Sequence, residues 1–160
     1  MKGKLAILAI LFAVLVGVIS FTRSDKPIEV QGSDSALASA SSSHVEEVND
    51  LKISLNEARV EDLADEEDMQ LVIIDLTVEN TSNEVKEFAL YKFTLVDSEG
   101  YAHPHASNVE TKGILGGQLH PDRKNRGEIA FKVPVDTSYE LIYTDHLRTG
   151  QVSWEITIDS

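Results

Sequence analysis

The chain has no cysteine. That removes disulfides, thiolate nucleophiles, and cysteine-ligated zinc or iron–sulfur sites. It is also poor in basic side chains: 14 Lys and Arg stand against 27 Asp and Glu, a formal net charge of -13. Such a surface repels phosphate backbones and anionic headgroups, so no nucleic-acid partner is expected. Any route to a membrane runs through apolar insertion. No G-x-S-x-G elbow, P-loop or dinucleotide fingerprint occurs. No cofactor is implied. The glycines of residues 113–117 lack the strand-to-helix setting that a phosphate site needs.

The most regular stretch that is present runs from Met69 to Asn80. Val72, Ile74, Leu76 and Val78 alternate with Asp75, Thr77 and Glu79. Period two with β-branched residues predicts a half-buried strand, because successive side chains leave opposite faces. Leu71 and Ile73 add apolar groups to the second face, so the start of this strand is expected to be covered on both sides. Residues 80–83, Asn-Thr-Ser-Asn, supply turn chemistry.

Other strands follow the same logic. Residues 51–56 alternate cleanly, and the acidic residues 57–68 read as a connection. Residues 91–96 place Tyr91, Phe93 and Leu95 on one face. Gly100 closes a turn, and residues 101–105 return as an edge strand, since Pro104 cannot donate to a ladder. Residues 106–118 read as a loop. Strands follow at 127–133, with Ile129, Phe131 and Val133 inward, at 139–143, and at 152–159. On the last, Trp154 shares a core face with Val152, Ile156 and Ile158. About seven short strands with turns between them predict an all-β, antiparallel β-sandwich.

Ahead of this domain, two lysines precede the apolar run of residues 5–19, the pattern of an export signal. Residues 1–21 are expected to form a hydrophobic helix, either a cleaved signal peptide or an uncleaved anchor. As a helix, residues 5–21 would measure about 26 Å, slightly short of a ~30 Å hydrocarbon core. Anchoring is favoured, with the domain outside the cell. Secretion after cleavage at Ser20 is the alternative. Residues 22–47, rich in Ser and Ala, read as a flexible linker, and residues 48–160 as the folded domain.

Three motifs carry a family resemblance: Val78, Asn80, Ser82 and Glu84; then Leu95, Val96, Asp97 and Gly100; then Gly127, Phe131, Val133 and Pro134. In this order they resemble a Gram-positive extracellular domain family of unknown function. That resemblance implies the immunoglobulin-like fold of the telokin-like, immunoprotective mycobacterial antigen group. It implies no catalytic residues. Many members of that family carry a lipobox cysteine, which this chain lacks.

Two constellations bear on chemistry. His103 and His105 lie two apart, a spacing that lets both imidazoles of a strand face one ion, with Asp97 or His120 as a third ligand. The acidic run containing Asp65, Glu67 and Asp68 offers carboxylates for calcium, but without the spacing or glycine of an EF-hand loop. Exposed polar residues and a solvated charge run are the simpler readings. The expected function is therefore a non-enzymatic binding or display domain whose partner is an envelope protein or ligand. The competing expectation is a metal-dependent or hydrolytic envelope enzyme using His103, His105 and nearby carboxylates.

Overall fold

The computed structural model describes residues 36–40, 45–146 and 149–158. The expected N-terminal helix over residues 1–21 and the linker residues 22–35 and 41–44 lie outside that range. Among the described residues, no helix is long and apolar enough to cross a membrane.

The fold is all-β, with antiparallel pairing throughout. Its strands are β1 (Ala36–Ala40), β2 (Val45–Val48), β3 (Leu51–Asp62), β4 (Met69–Asn80), β5 (Lys86–Phe88) and β6 (Phe93–Asp97). They continue as β7 (Ala102–Pro104), β8 (Gly117–Leu119), β9 (Lys124–Pro134), β10 (Ser138–Thr144) and β11 (Gln151–Ile158). The main sheet runs β7-β6-β10-β11-β1-β3-β4-β9, β2 pairs with β3, and β5 pairs with β8 in a small separate sheet.

β4 is the central strand of one arc, flanked by β3 and β9. Its apolar residues stand opposite apolar partners: Val72 faces Phe131, and Ile74 faces Ile129. On the β3 side, Leu76 faces Leu55 and Val78 faces Ile53. Val72, Ile74, Leu76 and Val78 are fully buried, and Ile73 on the reverse face is buried as well. The second arc repeats the device. Leu95, Leu141 and Trp154 form one row across β6, β10 and β11, and Phe93, Tyr143 and Val152 form the next. Both arcs contribute to a single apolar cluster.

Four details depart from the sequence expectation. Residues 57–62 continue β3 and do not form a connection. A register shift between Leu55 and Glu57 moves the inward positions from Leu51, Ile53 and Leu55 to Ala58 and Val60. This bulge reverses the parity of the alternation, which hides the second half of the strand from a period-two reading.

Tyr91 is 64% exposed and does not share the face of Phe93. It sits in a 3₁₀ turn (Leu90–Lys92), so the strand begins only after it. Within the loop expected at 106–118, Gly117 and Gln118 already belong to β8.

Finally, the sheet starts inside the segment read as linker. β2 forms a tight hairpin with β3 through Asn49 and Asp50, both at positive φ, as a type I′ turn requires. β1 lies between β3 and β11. A strand laid between two edges gains backbone hydrogen bonds on both sides, a placement that needs no apolar alternation in the sequence.

The outer edge of β9 is covered. Ala106 N donates to the Ala130 carbonyl (2.8 Å), and Glu128 N donates to that of Lys112 (2.9 Å). Such covering protects a strand that would otherwise recruit another chain. Phe131 packs at the centre of the core with no exposure. Phe131→Ala is expected to lower unfolding free energy by about 3–5 kcal/mol through the cavity it leaves. Urea denaturation reads this directly, and an unchanged midpoint would place Phe131 outside the core.

Candidate functional site

The histidine pair is divided by the fold. His103 lies in β7, and its Nε2 is 2.8 Å from Asp97 Oδ2 at the end of β6. The other Asp97 oxygen accepts from the backbone N–H groups of Glu99 (3.1 Å) and Tyr101 (2.8 Å). The His103 bond, helped by those backbone donors, holds the Asp97 carboxyl below the usual carboxylate range. His105 lies beyond the strand, with Nδ1 buried and without a hydrogen-bond partner among the described residues. His120 is exposed in the turn before β9.

Asp65, Glu67 and Asp68 point into solvent in the β3–β4 connection, where Glu66 pairs with Lys132 (2.6 Å). Among the described residues, no group of three or more His, Asp or Glu side chains is placed to hold a metal ion. The structure thus joins His103 to Asp97, one of its two candidate co-ligands. It does so in a hairpin turn.

The three sequence motifs turn out to be fasteners of the fold. Asn80 is fully buried at the end of β4. Its Nδ2 donates to the carbonyls of Glu84 (2.6 Å) and Leu119 (2.9 Å), and its Oδ1 accepts from Ser82 N and Oγ. Its backbone bonds to Arg123 and Asp122. One side chain therefore ties the 81–85 turn, β8 and the turn before β9 to the central strand. Asp97 organises the second motif as described above, with Gly100 at φ +90°. In the third, Gly127 passes under the 113–115 segment, where a Cβ would lie 3.2 Å from Leu115 N.

The most developed polar surface lies on the outer face of β3, β4 and β9. Arg126 grips Asp75 with Nε (3.0 Å) and Nη2 (2.8 Å), while Asn56 donates to Asp75 (2.8 Å) and Thr77 (2.9 Å). Arg59 on β3 reaches across β4 to Glu128 on β9 with both terminal nitrogens (2.7 and 3.2 Å). Glu128 also accepts from Lys112 N (3.0 Å).

A cleft of about 230 Å³ lies between this face and the 112–113 segment, lined by Asp75, Lys112, Gly113, Arg126, Gly127 and Glu128. Ile114 stands beside it, 84% exposed. Each Arg hydrogen bond holds its carboxylate partner below the ordinary range and raises the guanidinium. The arrangement presents fixed, mutually neutralised charges suited to hydrogen bonding. It gives none of them a reason to exchange protons near neutrality. Sequence reading missed this face because its pairs join residues 51 and 69 positions apart.

Two outcomes test these assignments. Asn80→Ala should cost about 1–3 kcal/mol by orphaning a buried carbonyl. Asn80→Asp should be at least as damaging despite its equal size, because a carboxylate would face two carbonyl oxygens. Matching urea midpoints for Asn80→Asp and the parent would refute the donor role. For Asp75, the folded-state pKa is lowered, so its contribution is present above the unfolded pKa and fades as pH falls through the folded one. Arg126→Gln should lower the melting temperature at about pH 7, and the gap from the parent should shrink in acid. A gap independent of pH would separate Arg126 from Asp75.

Comparison with known proteins supplies relatives of the fold. The candidate lipoprotein ycdA of Bacillus subtilis is 17% identical, with a TM-score of 0.61 over 75% of this chain, which spans only 40% of ycdA. A functionally unknown protein of Listeria monocytogenes is 13% identical, with a TM-score of 0.55, covering 80% of this chain and 89% of that one. The yjhA protein of B. subtilis is 17% identical at a TM-score of 0.51, over 72% and 96% of the two chains. At these identities the likeness is one of fold. No curated protein sequence matches significantly. The sequence profile of the "Domain of unknown function (DUF4352)" family matches residues 41–153 and takes in all three motifs. The chain belongs to the DUF4352 family.

Proposed function

We propose that this protein is an exported, membrane-tethered domain of immunoglobulin-like type that binds or displays and performs no catalysis. What carries the non-catalytic part of the reading is that its best-ordered charges are bound to one another, Arg126 to Asp75 and Arg59 to Glu128, and the direction of the ionisable groups agrees. Every shift resolved among the described residues moves its group away from neutrality: Asp75, Asp97, Glu128 and Asp136 downward, Arg59, Arg126, Tyr139 and Tyr143 upward. A general acid or base works best when its pKa lies near the operating pH. These groups are tuned the opposite way, for permanent charge or permanent neutrality.

The immunoglobulin-like assignment is supported by the corner between β9 and β10, where the chain passes from one arc to the other. There the Tyr139 hydroxyl donates to the Pro134 carbonyl five residues back and accepts from Gln70 Nε2 (2.6 Å). A tyrosine in this role is a hallmark of immunoglobulin-like sandwiches. Tethering is supported by the lysines and apolar run of residues 2–21, and export also by likeness of fold to a candidate lipoprotein. The cleft beside Ile114 is the binding surface this reading favours.

The test is topological. In cells expressing a C-terminally tagged chain, the tag should stay with the membrane fraction and be removed when intact protoplasts are treated with protease. A tag released to the medium on a chain beginning at Phe21 would defeat tethering. A tag protected from protease would defeat export.

A further inference from the structure

At the end of the core, beside the Lys86–Asp50 pair of the β2–β3 turn, lies a triad that neither the family motifs nor the proposed binding surface employs. Lys92, in the 3₁₀ turn, is buried, and its Nζ is 2.9 Å from Oδ1 of Asp145, itself buried just after β10. The second oxygen of Asp145 accepts from the carboxamide Nδ2 of Asn49, at 3.2 Å. One carboxyl group thus bridges an amine and an amide that lie 43 positions apart, in the β2–β3 turn and before β6.

Two further features fit the cluster. Gly150, whose carbonyl accepts from Asp145 N, leaves room for Asn49. A Cβ there would lie 2.8 Å from Asn49 Nδ2 and 2.5 Å from Val48. Phe93 and Tyr143, neighbours in sequence of Lys92 and Asp145, pack with Phe88 at ring separations of 5.0 to 6.0 Å, and both Lys92 and Asp145 are buried, while Asn49 is half-buried.

We infer that Lys92 and Asn49 form an intramolecular isopeptide bond, with Asp145 as the proton carrier. The first step is transfer of the Lys92 ammonium proton to Asp145 across their 2.9 Å contact, which leaves a neutral amine and a neutral acid. Lys92 Nζ then attacks Asn49 Cγ and forms the new C–N bond. Asp145 delivers its proton to Nδ2, the Cγ–Nδ2 bond breaks and ammonia leaves; the Asp145 carboxylate then takes the surplus proton from the acylated Nζ and passes it to the departing ammonia, which goes as ammonium. Overall, an ammonium and a carboxamide become a secondary amide and one ammonium ion, with no oxidant or co-reactant.

Holding both partners on a single carboxyl group gathers amine, carboxamide and proton carrier in one cluster. The bond would tie the β2–β3 hairpin to the turn preceding β6. It would give this cysteine-free chain a covalent staple of the kind that disulfides give others.

Peptide mapping of the full chain after trypsin digestion tests this. The expected result is a linked peptide joining the segments that hold Asn49 and Lys92, lighter by one ammonia than their sum, with no cleavage after Lys92. Separate peptides, with trypsin cutting after Lys92, would overturn the proposal. So would ammonia loss confined to the Asn49 peptide, which marks a succinimide. The parent map alone decides whether the bond exists. Asp145→Asn, close in size, then decides the carrier: loss of the linked peptide is expected, and an undiminished link would remove Asp145 from the chemistry.

Discussion

The Asn80 carboxamide is the interaction on which the rest of the structure depends. A fully buried amide must satisfy its donors and acceptors within the protein or cost the core free energy. This one does so by gathering the 81–85 turn, β8 and the turn before β9 around the last residue of the central strand. The registers of β4 with β3 and with β9 both terminate there, at Leu51 opposite Asn80 and at Lys124 opposite Glu79. Apolar burial supplies the driving force for the sheet. The amide fixes where the sheet ends and which turns meet it. A buried polar group of this kind selects one arrangement among several that would bury similar area.

How much could be read from the chain follows from how local each signal is. β4, β9, β10 and β11 alternate without interruption and are visible as strands. β3 is only half visible, because the bulge at Leu55 and Glu57 reverses its inside–outside order. β1 is invisible to hydrophobic periodicity, since its place is fixed by pairing on both sides. The Asn80 and Asp97 motifs were legible as turns, while their purpose was not, because the Leu119 carbonyl and the His103 imidazole they bind come from other strands. His103 illustrates the same limit. Its spacing from His105 suggested a shared ion, and the fold instead turns His103 onto Asp97.

The charged groups share one organisation. On the outer face, Arg126–Asp75 and Arg59–Glu128 cross between strands. Surface pairs add little stability singly, but bidentate ones set geometry. They hold the strands in register and leave a patterned, largely neutralised face beside the Ile114 loop. The excess negative charge of the chain sits elsewhere, as in the exposed 65–68 run.

The central claim is that the polar turns are part of the core's cooperative unit. Native-state hydrogen exchange tests it at the amides of Ser82, which donates to Asn80 Oδ1, and Asp122, which donates to the Asn80 carbonyl. The account predicts that both exchange only with global unfolding, with the same protection and the same denaturant dependence as β4 amides such as Ile74. Rapid exchange of Ser82 and Asp122 while Ile74 stays protected would make the turns independent of the core and contradict it.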